Sequence, residues 1–499
     1  MKKDTFLYFQ DDNNLYLFWQ KDASIIKREI VGIDEMFNSK VIATTNETNL
    51  TLSKKDVKRF FEIRVNSYDK ENHLIEGTLI DNKNKLDKIT ISCLKSYRGL
   101  TLSFDTHFNI YDRYDLYEID KNNKKIIVTS EDFQINSTKI KEGKEYYVEA
   151  FTKEKDTYIL KATSDIYKCH INKIKHSMNK PKISIIIPAY NTDFFLPRTI
   201  DSVLFSTLKD LEVIIIDDGS TDKGPKIIDW YSEKYKGIIQ GYHQNNQGLS
   251  YARNNGTKYA TGEFIAYLDS DDIVHQYMYE ELYTSAIEDN SPIAIGKTLT
   301  RDKINEHSYV LNVPNPNNDK YRSYTYEEML KEKNHNTCDN IFFVAVWNKI
   351  IRADIAKAHK FSKSNYYEDT AYTRMIYSYL DKFTFVFNAW YIWDKRRRKT
   401  TGSYSTTGYK DAWRSLHTKY INSLLYCTRK GNLKKIDLIL CELLYEIRFQ
   451  MSLANGKETG LYKLYKKSLI ELNEKFNFLQ YKVINEDPKL QEFLKDSLT

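Results

Sequence analysis

Three patterns of apolar residues divide the chain. From residue 1 to about 170, short alternating or aromatic runs recur: FLYF, LYLFWQ, FFEIRV, KITISCL, LTLSF, KKIIVTS, EYYVEAF and YILKATS. Clusters such as DDNN, DNKNK and DKNNKK separate them. Alternation interrupted by turn residues predicts an all-β region, either a sandwich or two small barrels. From Lys182 the apolar runs become continuous and rich in Ile: Ile183 to Ile187, Val213 to Ile216 and Phe264 to Leu268. Each stops at polar residues, and helical spacing precedes the next. Such runs suit strands buried on both faces of a mostly parallel sheet. Beyond residue 406, DAWRSLHTKYINSLLYCTR, LKKIDLILCELLYEIRFQMSL and YKLYKKSLIELNEKF carry apolar residues every three or four positions, which predicts amphipathic helices with lysine-rich outer faces. The expected organisation is a β-rich accessory domain over 1–170, a linker over 171–181, an α/β domain over 182–405 and a helical region over 406–499.

Composition narrows the classes. At 499 residues, two or three domains are expected. The net charge of +7, from 75 basic and 68 acidic residues, is mild and mixed: it permits an anionic partner without demanding one. No nucleic-acid partner is expected. The 39 tyrosines suit sugar stacking and ordinary strand positions alike. Five cysteines (Cys93, Cys169, Cys338, Cys427, Cys441) are scattered with no metal or redox spacing, which fits a reducing compartment. No signal-peptide core or membrane-length apolar run is present. These features predict a cytoplasmic protein, with the inner face of the cell membrane as a second location. His170 and His176 fall in DIYKCHINKIKHSMNKP, whose basic and polar make-up reads as a linker leading to Pro181.

The chemistry-bearing residues sit where the strands end, which is where open α/β sheets bind ligands. Pro188-Ala189-Tyr190-Asn191 follows the first run, Asp217-Asp218-Gly219-Ser220 the second and Asp269-Ser270-Asp271-Asp272 the third. Asp269 and Asp271 are two carboxylates at one strand tip. They can grip one hard divalent cation, with a nucleotide diphosphate supplying further oxygens. All the candidate ligands are oxygens, so the cation is expected to be Mn2+ or Mg2+. Asp272 is expected to cap the following helix.

IIIPAYN, VIIIDDGSTD, NNQGLSYARNNG and YLDSDD, in this order and spacing, resemble the nucleotide-sugar domain of family 2 glycosyltransferases. The resemblance covers roughly Lys182 to Ser403. It implies a GT-A fold, inversion at the anomeric carbon and a UDP-sugar donor. It assigns Asp218 to the imide N–H of the uracil, beside an alternative role as a helix cap. Tyr190 would lie against the base, with the backbone of Pro188 and Ala189 pairing to it. Arg253 and Asn246 would help bind the nucleotide, although Arg253 also reads as a surface salt bridge. Ser270 joins the diphosphate motif. The resemblance would make Asp271 the direct metal ligand, with Asp269 facing the ribose or the metal.

Downstream, Trp347 in WNK resembles an acceptor-side element and could floor the sugar site by stacking; a buried core tryptophan is the competing reading. Glu368-Asp369 resemble the acidic pair near the acceptor. An inverting transfer needs one base to take the acceptor hydroxyl's proton. Asp369 is the candidate and Glu368 the runner-up. The alternative is that both merely complement a helix N-terminus. Lys395 to Lys399 and Ser403 resemble a loop that closes over the diphosphate, with Arg398 and Ser403 as donor contacts. This basic run is longer than the family's pattern, so Arg396, Arg397 and Arg398 stay open as phosphate contacts, as does a purely solvated run.

The expected function is metal-dependent, inverting transfer of a sugar from a UDP-sugar to a hydroxyl of a cell-surface glycopolymer, teichoic acid being favoured by charge. Two alternatives stand beside it: a transferase acting on a polyprenyl-phosphate or lipid-linked acceptor, and a non-catalytic nucleotide-sugar or glycan-binding protein. The β-rich region reads as a glycan- or partner-binding module or as a structural, oligomerising appendage. The helical tail reads as packed on the catalytic domain, dimerising, or touching an anionic membrane surface.

Overall fold

The computed structural model describes residues 6–10, 14–19, 25–33, 39–47, 49–53, 55, 62–71, 74–81, 87–107, 109–120, 123–154, 157–174, 180–301, 308–310, 319–325, 328, 345–362, 368–394, 423–425, 427–453 and 460–498. The chain divides into two compact units. The first comprises Met1–Thr90, Tyr111–Asp132 and Tyr146–Tyr167, and the second Ile91–Ile110, Phe133–Glu145 and Lys168–Thr499.

The first fifteen strands are β1 (Phe6–Gln10), β2 (Asn14–Trp19), β3 (Lys27–Ile33), β4 (Ser39–Thr45), β5 (Asn49–Ser53), β6 (Glu62–Tyr68), β7 (Leu74–Asp81), β8 (Asp87–Ser96), β9 (Gly99–Asp105), β10 (Arg113–Asp120), β11 (Asn123–Ser130), β12 (Gln134–Ser137), β13 (Glu145–Glu154), β14 (Thr157–Ser164) and the short β15 (Tyr167–Lys168). In the first unit they form antiparallel sheets β1-β2-β5 and β4-β3-β6-β7, with β11-β10-β13-β14 continuing to the start of β8. Leu15, Leu17, Ile30, Leu52, Ile63 and Val65 share one small core there. Alternating apolar positions from neighbouring strands meet on one face, as the period of two requires.

The second unit is built on one large sheet. Its strands are β16 (Ile183–Ala189), β17 (Leu211–Asp217), β18 (Ile239–His243), β19 (Phe264–Tyr267), β20 (Ile273–Val274), β21 (Ile293–Arg301), β22 (Ser308–Val310), β23 (Tyr321–Tyr324), β24 (Lys349–Arg352) and β25 (Phe383–Asp394). The main order is β18-β17-β16-β19-β24-β21-β25-β20. β18, β17, β16 and β19 are parallel, as their continuous apolar runs predict. β24 runs antiparallel to both β19 and β21, and β20 antiparallel to β25, so the other half of the sheet is mixed. Register aligns Ala189 with Asp217 and Ile186 with Tyr267, which sets the three polar loops side by side at one sheet edge.

Helices cover both faces. Ile185, Ile200, Val213, Ile227, Phe264 and Leu282 belong to one buried cluster. The opposite cluster joins Ile186, Ile214 and Phe385 to Leu440, Leu443, Leu469 and Leu490 of the C-terminal helices Leu433–Leu453, Gly460–Phe476 and Pro488–Leu498. Of the three readings of the tail, packing on the α/β sheet is therefore realised. Among the described residues no helix is long and apolar enough to cross a membrane.

Parts of the β-rich region fold with this second unit. β9 pairs antiparallel with β12 there. The Cys93 and Cys169 sulfurs lie 3.5 Å apart, both buried, a proximity that their 76-residue separation hides in the sequence. His170 is exposed and its Nδ1 lies 3.1 Å from the Lys168 carbonyl. His176 and Cys338 lie outside the described residues.

The buried Asp201 shows how tightly the β8–β9 hairpin is held. Its carboxylate accepts hydrogen bonds from the Thr101 hydroxyl at 2.6 Å and the Tyr231 hydroxyl at 2.6 Å. No basic side chain neutralises it in this network, and burial pushes its pKa up to about 6. The folded value lies above the unfolded one, so the group's contribution is fully present below about pH 4 and is lost as pH rises through 6. Asp201→Asn keeps a hydrogen-bonding side chain without the charge. It is expected to remove up to about 3 kcal/mol of that pH-dependent loss. Urea unfolding of both proteins at pH 4.5 and 7.5 checks this. Equal pH dependence in the two would contradict it.

Candidate functional site

The site is assembled from the loops that follow β16, β17 and β19. After β16 the chain turns through Asn191, whose φ of 51° is left-handed. Its side chain accepts the Thr221 N–H at 2.8 Å, and its own N–H donates to the Ser220 hydroxyl at 3.0 Å. The first two loops are thereby laced together. Pro188 and Ala189 are buried at the strand tip, while Tyr190 is 42% exposed and free to meet a planar ligand.

Asp218 is almost completely buried. One carboxylate oxygen accepts from the Gln244 amide at 2.6 Å and the Gln247 N–H at 2.9 Å, and the other from the Gly248 N–H at 2.7 Å. It does not cap the helix Gly224–Lys234 that follows it, whose first N–H donates to the Asp222 carboxylate at 2.8 Å instead. It holds the 244–248 loop ahead of the helix Leu249–Tyr259 instead. A carboxylate has about four acceptor positions, so one remains for a ligand N–H. Gly219, at φ +76°, lets the backbone of exposed Asn246 approach to where a Cβ would stand 2.8 Å away. The bases of both loops are thus brought against each other.

The acidic tip after β19 carries the strongest electrostatics. Arg253 is 1% exposed, so the surface salt-bridge alternative does not hold. Its guanidinium donates to Asp269 at 2.8 Å and to Glu368 at 2.7 Å. It joins the β19 tip to the first turn of the helix Glu368–Tyr379. Burial and the neighbouring Asp369 charge push Glu368 up to about 7, against the pull of Arg253. Asp271 is raised to about 6 by desolvation and by the Asp269 charge. No basic side chain pairs directly with Asp271 among the described residues.

Among those residues no group of three or more His, Cys, Asp and Glu forms a ready ligand set. A divalent cation nevertheless fits Asp269 and Asp271: both donors are oxygens, and a second positive charge would relieve the repulsion that raises Asp271. Ser270 is buried, its carbonyl accepting the Thr199 hydroxyl at 3.0 Å. Asp272 is not the helix cap expected from its position. It accepts from the Tyr391 hydroxyl at 2.6 Å and the Asp394 N–H at 2.9 Å, and the helix Met278–Glu288 has no side-chain cap.

The acceptor side differs from expectation at Trp347. This residue is 6% exposed, with its ring stacked on Tyr391 at 4.2 Å and close to Trp393 at 5.7 Å. One indole face is taken, so Trp347 is a core residue in this conformation. Asp369 is half-buried beside the locked Glu368 and its carbonyl accepts from Thr373 at 2.8 Å.

The Glycosyl transferase family 2 sequence model matches residues 184–359. Those residues are a family 2 glycosyltransferase domain. The chain is 26% identical over 283 residues to glycosyltransferase GlyA of Streptococcus pneumoniae serotype 4, covering 56% of this chain and 39% of that protein. It is 42% identical over 120 residues to the poly(ribitol-phosphate) beta-N-acetylglucosaminyltransferase TarP of Staphylococcus aureus, covering 23% of this chain and 36% of TarP. The crystal structure of S. aureus TarS 1-349 with UDP-GlcNAc aligns at a TM-score of 0.45 and 20% identity, over 59% of this chain and 81% of that one. The chain thus spans less than half the length of either curated relative.

The family 2 domain has the GT-A architecture: parallel strands β18-β17-β16-β19 carry the loops, and β24 continues the sheet in the opposite sense. Helix Glu368–Tyr379, with both candidate bases, begins beyond the matched segment. Arg396, Arg397, Arg398 and Ser403 lie outside the described residues.

Three residues around the site were given no role by sequence reading. Arg198 donates to the Asp394 carboxylate at 3.1 Å and to the Asp271 carbonyl at 2.9 Å, bracing the acidic tip from below. Lys349 is buried, which pushes its pKa down to about 7, and feels the Asp369 charge. Arg98 reaches the 190–195 loop from the β8–β9 hairpin. Arg98 and Arg198 stand in no motif; Lys349 is the last residue of WNK, where only Trp347 drew a role.

Proposed function

We propose that the chain is a metal-dependent inverting glycosyltransferase that moves a sugar from a UDP-sugar to a hydroxyl of a cell-surface glycopolymer, with a polyol-phosphate polymer of the teichoic-acid class as acceptor. The observation that carries the reading is the acidic tip: Asp269 and Asp271 at a parallel strand end, linked by Arg253 to the helix bearing Glu368 and Asp369. One end of this arrangement suits the departing diphosphate, the other the incoming hydroxyl. The name of TarP, which describes transfer to poly(ribitol-phosphate), supports the acceptor class.

In this reading Asp218 accepts the uracil imide N–H, Tyr190 covers the base, and Asp269 and Asp271 are the residues that would hold Mn2+ or Mg2+. The metal, when bound, neutralises charge on the leaving UDP. Asp369 takes the acceptor proton as its oxygen attacks the anomeric carbon from the face opposite UDP. The C1–O bond to the diphosphate breaks in the same displacement, which inverts the anomeric centre. A location at the cytoplasmic face of the membrane suits a donor and acceptor of this kind.

The test is UDP release from a panel of UDP-sugars with Mn2+, Mg2+ or chelator, alongside UDP binding. One donor is expected to be hydrolysed slowly and only with metal, and Asp271→Ala is expected to abolish both this release and the metal-dependent share of UDP binding. A wild-type protein that binds no UDP with either metal would overturn the reading.

A further inference from the structure

The β8–β9 hairpin lies far ahead of the family 2 segment in sequence, yet it ends against the nucleotide loop. Its turn is Tyr97-Arg98, closed by Gly99 at φ 131°. Arg98 donates one guanidinium nitrogen to the Asp193 carbonyl at 2.9 Å and another to the Phe194 carbonyl at 3.2 Å. The same guanidinium lies 5.3 Å from the centre of the Phe194 ring. On its other side the loop is tied to the β17 loop, where the Asp193 N–H donates to Asp222 at 2.8 Å and its carboxylate accepts from Lys223 at 3.3 Å. The loop is therefore clamped between two segments, and Tyr190 stands at its start, 42% exposed.

The hairpin is itself firmly anchored. Ser96 meets the Tyr231 hydroxyl at 2.9 Å, Thr101 donates to Asp201 at 2.6 Å, and the Tyr277 hydroxyl donates to Asp105 at 2.8 Å. The Tyr97 ring meets Trp230 edge-on at 5.8 Å. An arginine on a rigid turn, forked onto two successive carbonyls, fixes the path of the backbone it grips. A lysine has no such fork.

We propose that Arg98 is a positioning residue for the nucleotide base, supplied by the segment ahead of the family 2 domain. It holds the 190–195 loop so that Tyr190 is already set when UDP arrives. This rests on the nucleotide-sugar reading above. Ordering the loop beforehand lowers the entropy lost on binding, so its effect falls on donor affinity and not on the chemical step.

The experiment measures UDP affinity by calorimetry and donor KM, kcat and acceptor KM for wild type, Arg98→Ala, Arg98→Lys and Thr101→Val. Arg98→Ala is expected to weaken UDP binding and raise donor KM about tenfold, with kcat and acceptor KM within about twofold. Arg98→Lys is expected to recover part of the affinity. Thr101→Val removes one anchor of the hairpin and leaves the Arg98 fork in place; it is expected to lower the thermal midpoint and to weaken UDP binding much less than Arg98→Ala does. UDP binding by Arg98→Ala equal to wild type would overturn the inference. So would an equal loss of affinity in Thr101→Val, which would make the effect one of general packing. Wild type failing to bind UDP would instead sink the nucleotide reading, and this inference with it.

Discussion

Asp369→Asn is expected to bind UDP as wild type does and to lose about two to four orders of magnitude in turnover. Two carboxylates compete for the role of base, and charge and geometry favour different ones. Glu368, pushed up to about 7, has the better-matched proton affinity near neutrality. Its carboxylate, however, is 6% exposed and held by Arg253 at 2.7 Å. A base must first reach the hydroxyl it deprotonates, so geometry outranks proton affinity. Asp369 follows one residue along the same first helical turn and is half-buried, and the proposed function gives it the role. The amide of Asn preserves shape but accepts no proton at this pH. Single-turnover rates with donor and acceptor, set beside calorimetric UDP affinity, check the split. Unchanged turnover would transfer the role to Glu368.

Arg253→Met is expected to cost about 3–5 kcal/mol of stability at pH 8 and to reduce activity at least as severely. The guanidinium serves two carboxylates from a position that is 1% exposed. Removing it leaves Glu368 buried without a partner. That carboxylate can then escape the penalty by taking up a proton, since its pKa, already raised above the unfolded value of 4.5, rises further when Arg253 is lost. The destabilisation therefore grows as pH rises and shrinks as pH falls toward 6. Urea unfolding at pH 6 and pH 8 reads this directly. A loss independent of pH would mean that Glu368 does not carry the effect. Arg253→Lys is not a conservative control, because an ammonium cannot span Asp269 and Glu368 with a planar fork.

The acidic tip, the base helix and the hairpin act as one framework in this view. Arg253 ties the tip to the base helix, Arg198 braces the tip through the Asp271 carbonyl, and Asp272 is fixed by Tyr391 and Asp394 at the end of β25. Residues 395–403 follow directly from that strand end. Substitutions at Arg198 or Asp272 thus act on Asp269 and Asp271 indirectly, through the backbone of the tip.

The sequence by itself determined the parallel strands and what stands at their tips. Ile183–Ile187, Val213–Ile216 and Phe264–Leu268 are buried on both faces, so each must be a continuous apolar run that ends in polar residues. Once such strands are joined by helices, right-handed crossovers bring their carboxyl ends to one edge. Asp218, Asp269 and Asp271 were legible for that reason, as was the amphipathic tail. The tertiary structure alone decided which partners these residues take. Arg253 meets Glu368 across 115 positions, Arg98 meets Asp193 across 95, and Asp272 meets Tyr391 across 119. Trp347 is a core residue because Tyr391 covers its face. Hydrophobic period is a local property that each segment carries alone. An ion pair or a ring stack between distant segments exists only after packing has brought them together, and no spacing along the chain encodes it.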